Sequence, residues 1–174
     1  MLTNAVRIHA RGGPEVMRYD EIEIPEPGPG EVRIRNTAIG LNFIDHGHRT
    51  GERTEANHEG PLPLILGTEG AGVVEAVGPG VEGWKIGDRG AYWYAPPSCA
   101  YSRHLNYPVE RLVRLPDDIS DEIAAATLCK GMTAEVVVRR CWPVEPGDVV
   151  LVHAAAGATG HLVAQWAKSL GATV

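Results

Sequence analysis

The apolar and polar positions divide the chain into an alternating first part and a helical second part. Up to about residue 116, short apolar or alternating runs such as EVRIRNTAIGLN at 31–42 are separated by turns rich in glycine and proline. Alternation with a period of two is typical of strands that bury one face, and many short strands between turns predict a small barrel or sandwich. Gly67, Gly70 and Gly72 interrupt the most apolar run, and they predict bulges or close backbone contacts there.

A helical pattern begins at Ser120, in the segment SDEIAAATLCKGMTAEVVVRRCW. Serine is a favourable N-cap residue, and the two acids after it and the arginines near the end of the segment suit the helix dipole. We expect Gly131 to divide the segment into two helices.

The last 26 residues, VVLVHAAAGATGHLVAQWAKSLGATV at 149–174, predict a strand, a turn of small residues and a helix. The continuous apolar run at 149–152 is typical of a strand buried on both faces in a parallel sheet. Apolar residues then recur at helical spacing, and Gly171 stands where a helix end favours a positive φ.

The small-residue turn resembles a phosphate-binding loop. Ala155, Gly157 and Gly160 occupy the three glycine positions of the G-x-G-x-x-G fingerprint, with alanine in place of the first glycine. A pyrophosphate needs close backbone approach and the unpaired N–H groups of a helix N-terminus, which this order of elements provides. The alternative is an ordinary tight connection in another α/β protein.

Composition narrows the class of protein. The 174 residues allow one or two domains, and 44% apolar and 22% charged residues are typical of a globular protein. The net charge of −6 and the lack of a basic stripe argue against a nucleic-acid partner. No run approaches the ~20 apolar residues of a membrane span, and the N-terminus lacks a signal peptide. Cys99, Cys129 and Cys141 are scattered, which predicts thiols in a reducing compartment, the cytoplasm.

Six motifs along the chain stand in the order found in one family. They are GGPEVM at 12–17, AIGLNFID at 38–45, LGTEGAGVVEAVGPGV at 66–81, GDR at 87–89, CKGMTA at 129–134 and HAAAGATG at 153–160. The sequence resembles the zinc-independent medium-chain dehydrogenase/reductases, and within them the NADPH:quinone reductases related to zeta-crystallin. The resemblance covers essentially the whole chain.

The resemblance implies a mixed α/β fold. It assigns residues 1–120 to a GroES-like catalytic domain, 121–147 to a helical bridge and 148–174 to the start of a Rossmann domain, with the cofactor in the cleft between the two domains. Family members are roughly twice this length, so the chain corresponds to the N-terminal half of a longer enzyme. We expect such a half to dimerise, to aggregate or to be stable only beside its missing half, because a strand edge and an apolar helix face stay open.

The resemblance also assigns the catalytic residues Asn42, Thr133 and Lys130, which are expected to bind the cofactor as well. It places the Asn42 amide beside the nicotinamide or the quinone oxygen; the alternative is a turn residue that caps its own backbone. Thr133 would contact the nicotinamide end, and Lys130 would add positive charge or be an exposed helix lysine.

Further cofactor-binding residues are expected in two motifs. Thr68 lies in a family motif near the cleft, beside Glu69, which is either part of the site or a structural hydrogen-bond acceptor. The pyrophosphate would be lined by the backbone of Ala156, Gly157, Ala158, Thr159 and Gly160.

No zinc is expected. The positions where zinc-dependent relatives carry Cys and His ligands read NFID at 42–45 and GTE at 67–69, and three scattered cysteines cannot form a four-cysteine zinc lobe. His46, His48 and His58 stand in one polar stretch that could take a metal, but a solvated loop is the favoured interpretation.

The predicted activity is hydride transfer from NADPH to a quinone, by a cytoplasmic homodimer. The alternatives are reduction of α,β-unsaturated carbonyls or enoyl thioesters, or a non-catalytic nucleotide-binding or structural relative. Quinone reductases carry tyrosines where this chain has Gly47 and Arg53, which puts the quinone in question. NADH is not excluded, because the residue that selects the cofactor lies ~20 residues beyond the glycine turn.

Overall fold

The computed structural model describes residues 1–52, 61–94 and 99–174. The chain forms two compact units, Met1–Ala126 and Thr127–Val174. The predicted domain limits 1–120, 121–147 and 148–174 stay a prediction.

A small antiparallel sheet begins the first unit. Strand β1 (Leu2–Ile8) pairs along its whole length with β2 (Met17–Glu23), and its end pairs with the short β4 (Leu64–Ile65). Between β1 and β2 lies a short 3₁₀ turn at Pro14–Val16.

A second antiparallel sheet follows, with the strand order β7-β3-β5-β6-β8. Its strands are β3 (Glu31–Gly40), β5 (Glu69–Val77), β6 (Arg89–Trp93), β7 (His104–Pro108) and β8 (Val113–Arg114). Helix α1 (Phe43–Thr50) lies in sequence between β3 and β4. The prediction of a β-rich first part is confirmed.

The pairing of β3 with β5 is irregular, as the glycines predict. The register shifts between Arg33 and Ile34 and again between Asn36 and Ala38. Buried residues of this sheet and of its connections form the main core of the unit: Val32, Ile34, Val74, Tyr92, Ala100, Leu105, Tyr107 and Leu112.

Helix α2 (Asp121–Glu135) begins as the sequence predicts. The N–H of Ile123 donates to the Ser120 hydroxyl at 3.3 Å. The prediction that Gly131 divides this segment is wrong, since α2 passes through it and continues as a π-helical turn at Val136–Cys141. Glycine lowers helix stability by only about 1 kcal/mol, which the surrounding helix tolerates.

Helix α3 (Ala158–Ser169) carries the main apolar contacts of the second unit. Its Val163 and Ala167 pack with Ala134, Val138 and other buried residues. Gly171 has a φ of 92°, as predicted for the residue after a helix end. None of the described helices is long and apolar enough to cross a membrane.

The prediction of a doubly buried strand at 149–152 is wrong. Val149 makes one isolated parallel bridge to Thr173, and Val149 and Leu151 are 85% and 83% exposed. Val150 and Val152 pack against the α3 cluster, so only one face of the segment is covered. A strand is buried on both faces only when helices cover both sides of its sheet. The mixed α/β class is confirmed.

Candidate functional site

A cavity of about 370 Å³ opens in the first unit around the start of α1. Its apolar wall is formed by Met17, Leu41, Phe43 and Leu66, and its polar wall by Asn42, Asp45, His46, Arg49 and Tyr101. An apolar cavity with a few polar groups is the usual form of a small-molecule site.

Asn42 holds a fixed position on this wall. It is the N-cap residue of α1, and its backbone N–H donates to Asp45 Oδ2 at 2.9 Å. Its side-chain Nδ2 donates to Glu69 Oε2 at 2.9 Å and lies 3.5 Å from Thr68 Oγ1. Asn42 therefore caps the helix and also directs its amide to the start of β5, so its orientation is set before any ligand binds.

Asp45 links Asn42, Thr68 and Tyr101 through hydrogen bonds, although the sequence analysis assigned it no role. Its Oδ1 accepts the Thr68 hydroxyl at 3.1 Å, and its Oδ2 accepts the Tyr101 hydroxyl at 3.0 Å. Burial raises the pKa of Asp45, and these hydrogen bonds act in the opposite direction. The Asn-x-x-Asp spacing of a capping box is the signal that identifies it in the sequence.

Tyr101 reaches Asp45 across the backbone of Gly67. Gly67 has a φ of 91°, and a Cβ placed on it would lie 2.1 Å from Tyr101 Cδ1. The ring thus requires glycine at this position. Burial, together with the charge of Asp45, raises the pKa of Tyr101, which makes it a weak acid. No local pattern in the sequence marks this contact.

Thr68 and Glu69 are 2% and 0% exposed. The Thr68 hydroxyl is donated to Asp45, and Glu69 accepts from Asn42, so both hold the cluster in place. Contact between Thr68 and a cofactor stays a prediction.

The second unit contains the small-residue turn. Ala154 has a φ of 52°, and the Gly157 N–H donates to its carbonyl at 2.8 Å. A Cβ on Gly160 would lie 2.3 Å from that same carbonyl oxygen, so the first turn of α3 and the loop can approach only with glycine there. Gly157 is the N-cap of α3, and the helix begins at Ala158.

This turn fits the pyrophosphate of a dinucleotide. The N–H groups of the first helical turn have no intrahelical acceptor, and they carry the positive end of the helix dipole. Ala156, Gly157 and Ala158 are exposed and carry little or no side chain, while Thr159 and Gly160 are partly buried. The N–H donors at the start of α3 therefore suit an anion, and glycine at 160 lets the loop pack against this helical turn.

Lys130 and Thr133 lie on α2 in the second unit. The Thr133 hydroxyl donates to the Cys129 carbonyl at 3.0 Å within the helix, and Lys130 is partly buried. Their contacts with a nicotinamide stay predictions.

Two of the three histidines are placed differently from the solvated loop that was expected. His46 and His48 lie on α1, where His48 is fully buried and His46 exposed, while His58 and Arg53 fall outside the described residues. Within the described part of the chain, no group of three or more His, Cys, Asp and Glu side chains could hold a metal. All three cysteines are described, and none forms a disulfide.

The antiparallel sheets of the first unit and the glycine turn of the second are the parts of a dehydrogenase-type chain. Residues 28–141 match the alcohol dehydrogenase GroES-like domain, and the chain belongs to that family. The resemblance to medium-chain dehydrogenase/reductases and the GroES-like fold are thereby confirmed.

Similar proteins include reductases of two kinds. The 2-haloacrylate reductase of a Burkholderia species is 45% identical over 98% of this chain and 51% of its own length. The quinone oxidoreductase structure of Pseudomonas syringae is 47% identical, with a TM-score of 0.88, over 98% of this chain and 51% of that one. The Escherichia coli quinone oxidoreductase solved with NADPH is 40% identical, with a TM-score of 0.90, over 97% and 50%. The chain thus spans about half the length of these relatives.

Proposed function

We propose that this chain belongs to an NADPH-dependent oxidoreductase that transfers a hydride to a quinone. The observation that carries the proposal is the turn at 154–160. Glycine at 160 lets the Ala154 carbonyl approach the first turn of α3, and any side chain there would block that approach. The NADPH bound to the Escherichia coli relative supports the choice of cofactor. We further propose a cytoplasmic homodimer without zinc.

In the second unit, the backbone N–H groups of Ala156, Ala158, Thr159 and Gly160 would hold the pyrophosphate. The Gly157 N–H donates to the Ala154 carbonyl instead, so Gly157 would only line the phosphate. Lys130 and Thr133 on α2 are proposed for the nicotinamide end. The dihydronicotinamide supplies the hydride when it is bound.

In the first unit, the cavity at Asn42 would hold the acceptor. Its apolar wall suits a planar ring, and the amide of Asn42, fixed by Glu69, would orient a carbonyl oxygen of the acceptor or the nicotinamide amide. The fixed position of Asn42 reduces the reorganisation needed on binding.

A second acceptor class is supported by a specific observation. The similar Burkholderia protein is a 2-haloacrylate reductase. An α,β-unsaturated carbonyl is therefore the alternative acceptor. The same test distinguishes NADH from NADPH as the cofactor, and a reductase from a nucleotide-binding protein without catalysis.

The test uses the full-length product of the gene. NADPH oxidation is measured with a 1,4-quinone and with 2-chloroacrylate, at equal concentrations, and is repeated with NADH. We expect kcat/KM to be at least about tenfold higher for the quinone, the discrimination that about 1.4 kcal/mol provides. Faster turnover of 2-chloroacrylate would support the alternative, and NADPH binding without turnover of either would show a non-catalytic protein.

A further inference from the structure

The reduced acceptor needs a proton, and the acceptor cavity limits which group can supply it. Hydride addition to a quinone leaves an anion on one oxygen, and addition to an enone leaves an enolate. Four ionisable side chains line the cavity of the first unit: Asp45, His46, Arg49 and Tyr101.

Three of these groups are poor proton donors. Both oxygens of Asp45 accept hydrogen bonds, from Thr68, Tyr101 and the Asn42 backbone. The Tyr101 proton is directed at Asp45, and losing it would place two negative charges side by side. Arg49 donates to the Gly12 carbonyl at 2.5 Å, and a guanidinium does not lose its proton in proteins.

His46 differs from them in position and chemistry. It lies one helical turn after Asn42 on α1, lines the same cavity and has a side chain that is 44% exposed. Imidazole is the side chain that ordinarily exchanges a proton between pH 5 and 8. Within the described residues, its ion-pair contact is made through Nδ1 and does not involve Nε2.

Two side chains lie beside the His46 ring. The Phe43 ring stacks on it, with centroids 5.7 Å apart and an angle of 12° between the planes. Nδ1 lies 3.9 Å from Glu52 Oε2. The other charged groups at the cavity are Asp45 and Arg49 on the same helix, and Tyr101 faces it from the segment before β7.

We propose that His46 is the catalytic acid that protonates the reduced acceptor; this rests on the proposed reductase function. The acceptor gains two electrons with the hydride and takes its proton from Nε2 of the imidazolium. An O–H bond forms on a hydroquinone, or a C–H bond at the α-carbon of an enone, while the N–H bond of His46 breaks. Solvent then returns a proton to the exposed ring.

The experiment compares His46→Gln with wild type in the full-length gene product. Glutamine keeps a polar side chain of similar reach but cannot titrate. We expect wild-type kcat/KM to fall as rising pH removes the imidazolium, and H46Q to be about 100-fold slower at pH 6 with a flat profile. His9→Gln is the matched control, because His9 also pairs with a carboxylate, Asp20 at 2.8 Å, but lies outside the cavity.

Two further measurements keep the result decisive. NADPH affinity, measured by fluorescence, should be the same in H46Q and wild type. In His46→Ala, added imidazole should restore turnover, which a purely structural role would not allow. An active wild type with an equally active H46Q of unchanged pH profile, or an H46A that imidazole does not rescue, would overturn the proposal. A wild type that reduces neither acceptor would refute the reductase function, and this inference with it.

Discussion

The two units bury their apolar strand residues very differently. Ile34 in the first unit is 0% exposed, whereas Leu151 in the second is 83% exposed, although both belong to apolar runs that predict strands. In the first unit, β3 has antiparallel neighbours on both sides, while the segment around Leu151 has a single parallel bridge. An apolar run therefore predicts burial only where other parts of the chain cover both faces.

The largest effect is expected when one buried and one exposed apolar residue, Ile34 and Leu151, are each replaced by alanine in the 174-residue chain. Ile34→Ala removes packing from the main core and should lower the free energy of unfolding by about 2–5 kcal/mol. Leu151→Ala is the matched control and should change it by less than about 0.5 kcal/mol. Urea unfolding with residue-resolved amide exchange measures both. Equal losses in the two variants would show that Leu151 is buried in solution.

A second test uses two turns of the same form. In the first unit, Asp88 Oδ2 accepts the Lys85 N–H at 2.9 Å, and Asp148 accepts the Glu145 N–H at 2.9 Å in the second. Asp88 additionally pairs with the Lys85 ammonium at 2.8 Å and with Arg114 at 2.9 Å. No Lys or Arg pairs with Asp148 among the described residues.

The hydrogen bonds from Lys85, together with Arg114, hold the pKa of Asp88 well below its usual value of 3.8. A lowered pKa in the folded state stabilises the fold above pH 3.8, and this stabilisation is lost as the pH falls toward the folded-state pKa. Asp88→Asn should therefore lower stability at pH 7 and make its loss below about pH 4 shallower. Asp148→Asn is the matched control and should lower stability at pH 7 by less than Asp88→Asn, because it breaks no ion pair among the described residues. Acid titrations followed by circular dichroism measure the loss of folded protein in each variant. Identical titration curves for Asp88→Asn and Asp148→Asn would contradict the prediction.

Local signals in the sequence were sufficient for much of the fold. Alternation predicted the β-rich first part, Ser120 the start of α2, and Gly171 the end of α3. The prediction that Gly131 divides the helical segment was wrong because a glycine weakens a helix without ending it. The prediction for the run at 149–152 was wrong because burial of both faces depends on helices that cover both sides of the sheet and not on the run's own pattern.

The candidate site was only partly predictable, for a related reason. Asn42, Thr68 and Glu69 stand in motifs that marked them, and the structure brings these three together. Tyr101 and Asp45 are 56 residues apart, so no local spacing reveals their hydrogen bond. The sequence marked His46 only as a possible metal ligand, and its place on the cavity wall follows from the structure.

The central claim is that the glycine turn of the second unit binds the cofactor, and one titration tests it directly. NADPH fluorescence is followed while wild-type full-length gene product, Gly160→Ala and Gln165→Ala are added. Gln165 is exposed on the same helix and serves as the control. In Gly160→Ala, a Cβ 2.3 Å from the Ala154 carbonyl must displace the loop.

We expect wild type and Gln165→Ala to bind NADPH equally. Binding by Gly160→Ala should be about tenfold weaker or more, since overpacking costs about 1–3 kcal/mol. Equal affinity in Gly160→Ala, or no binding by wild type, would contradict the account.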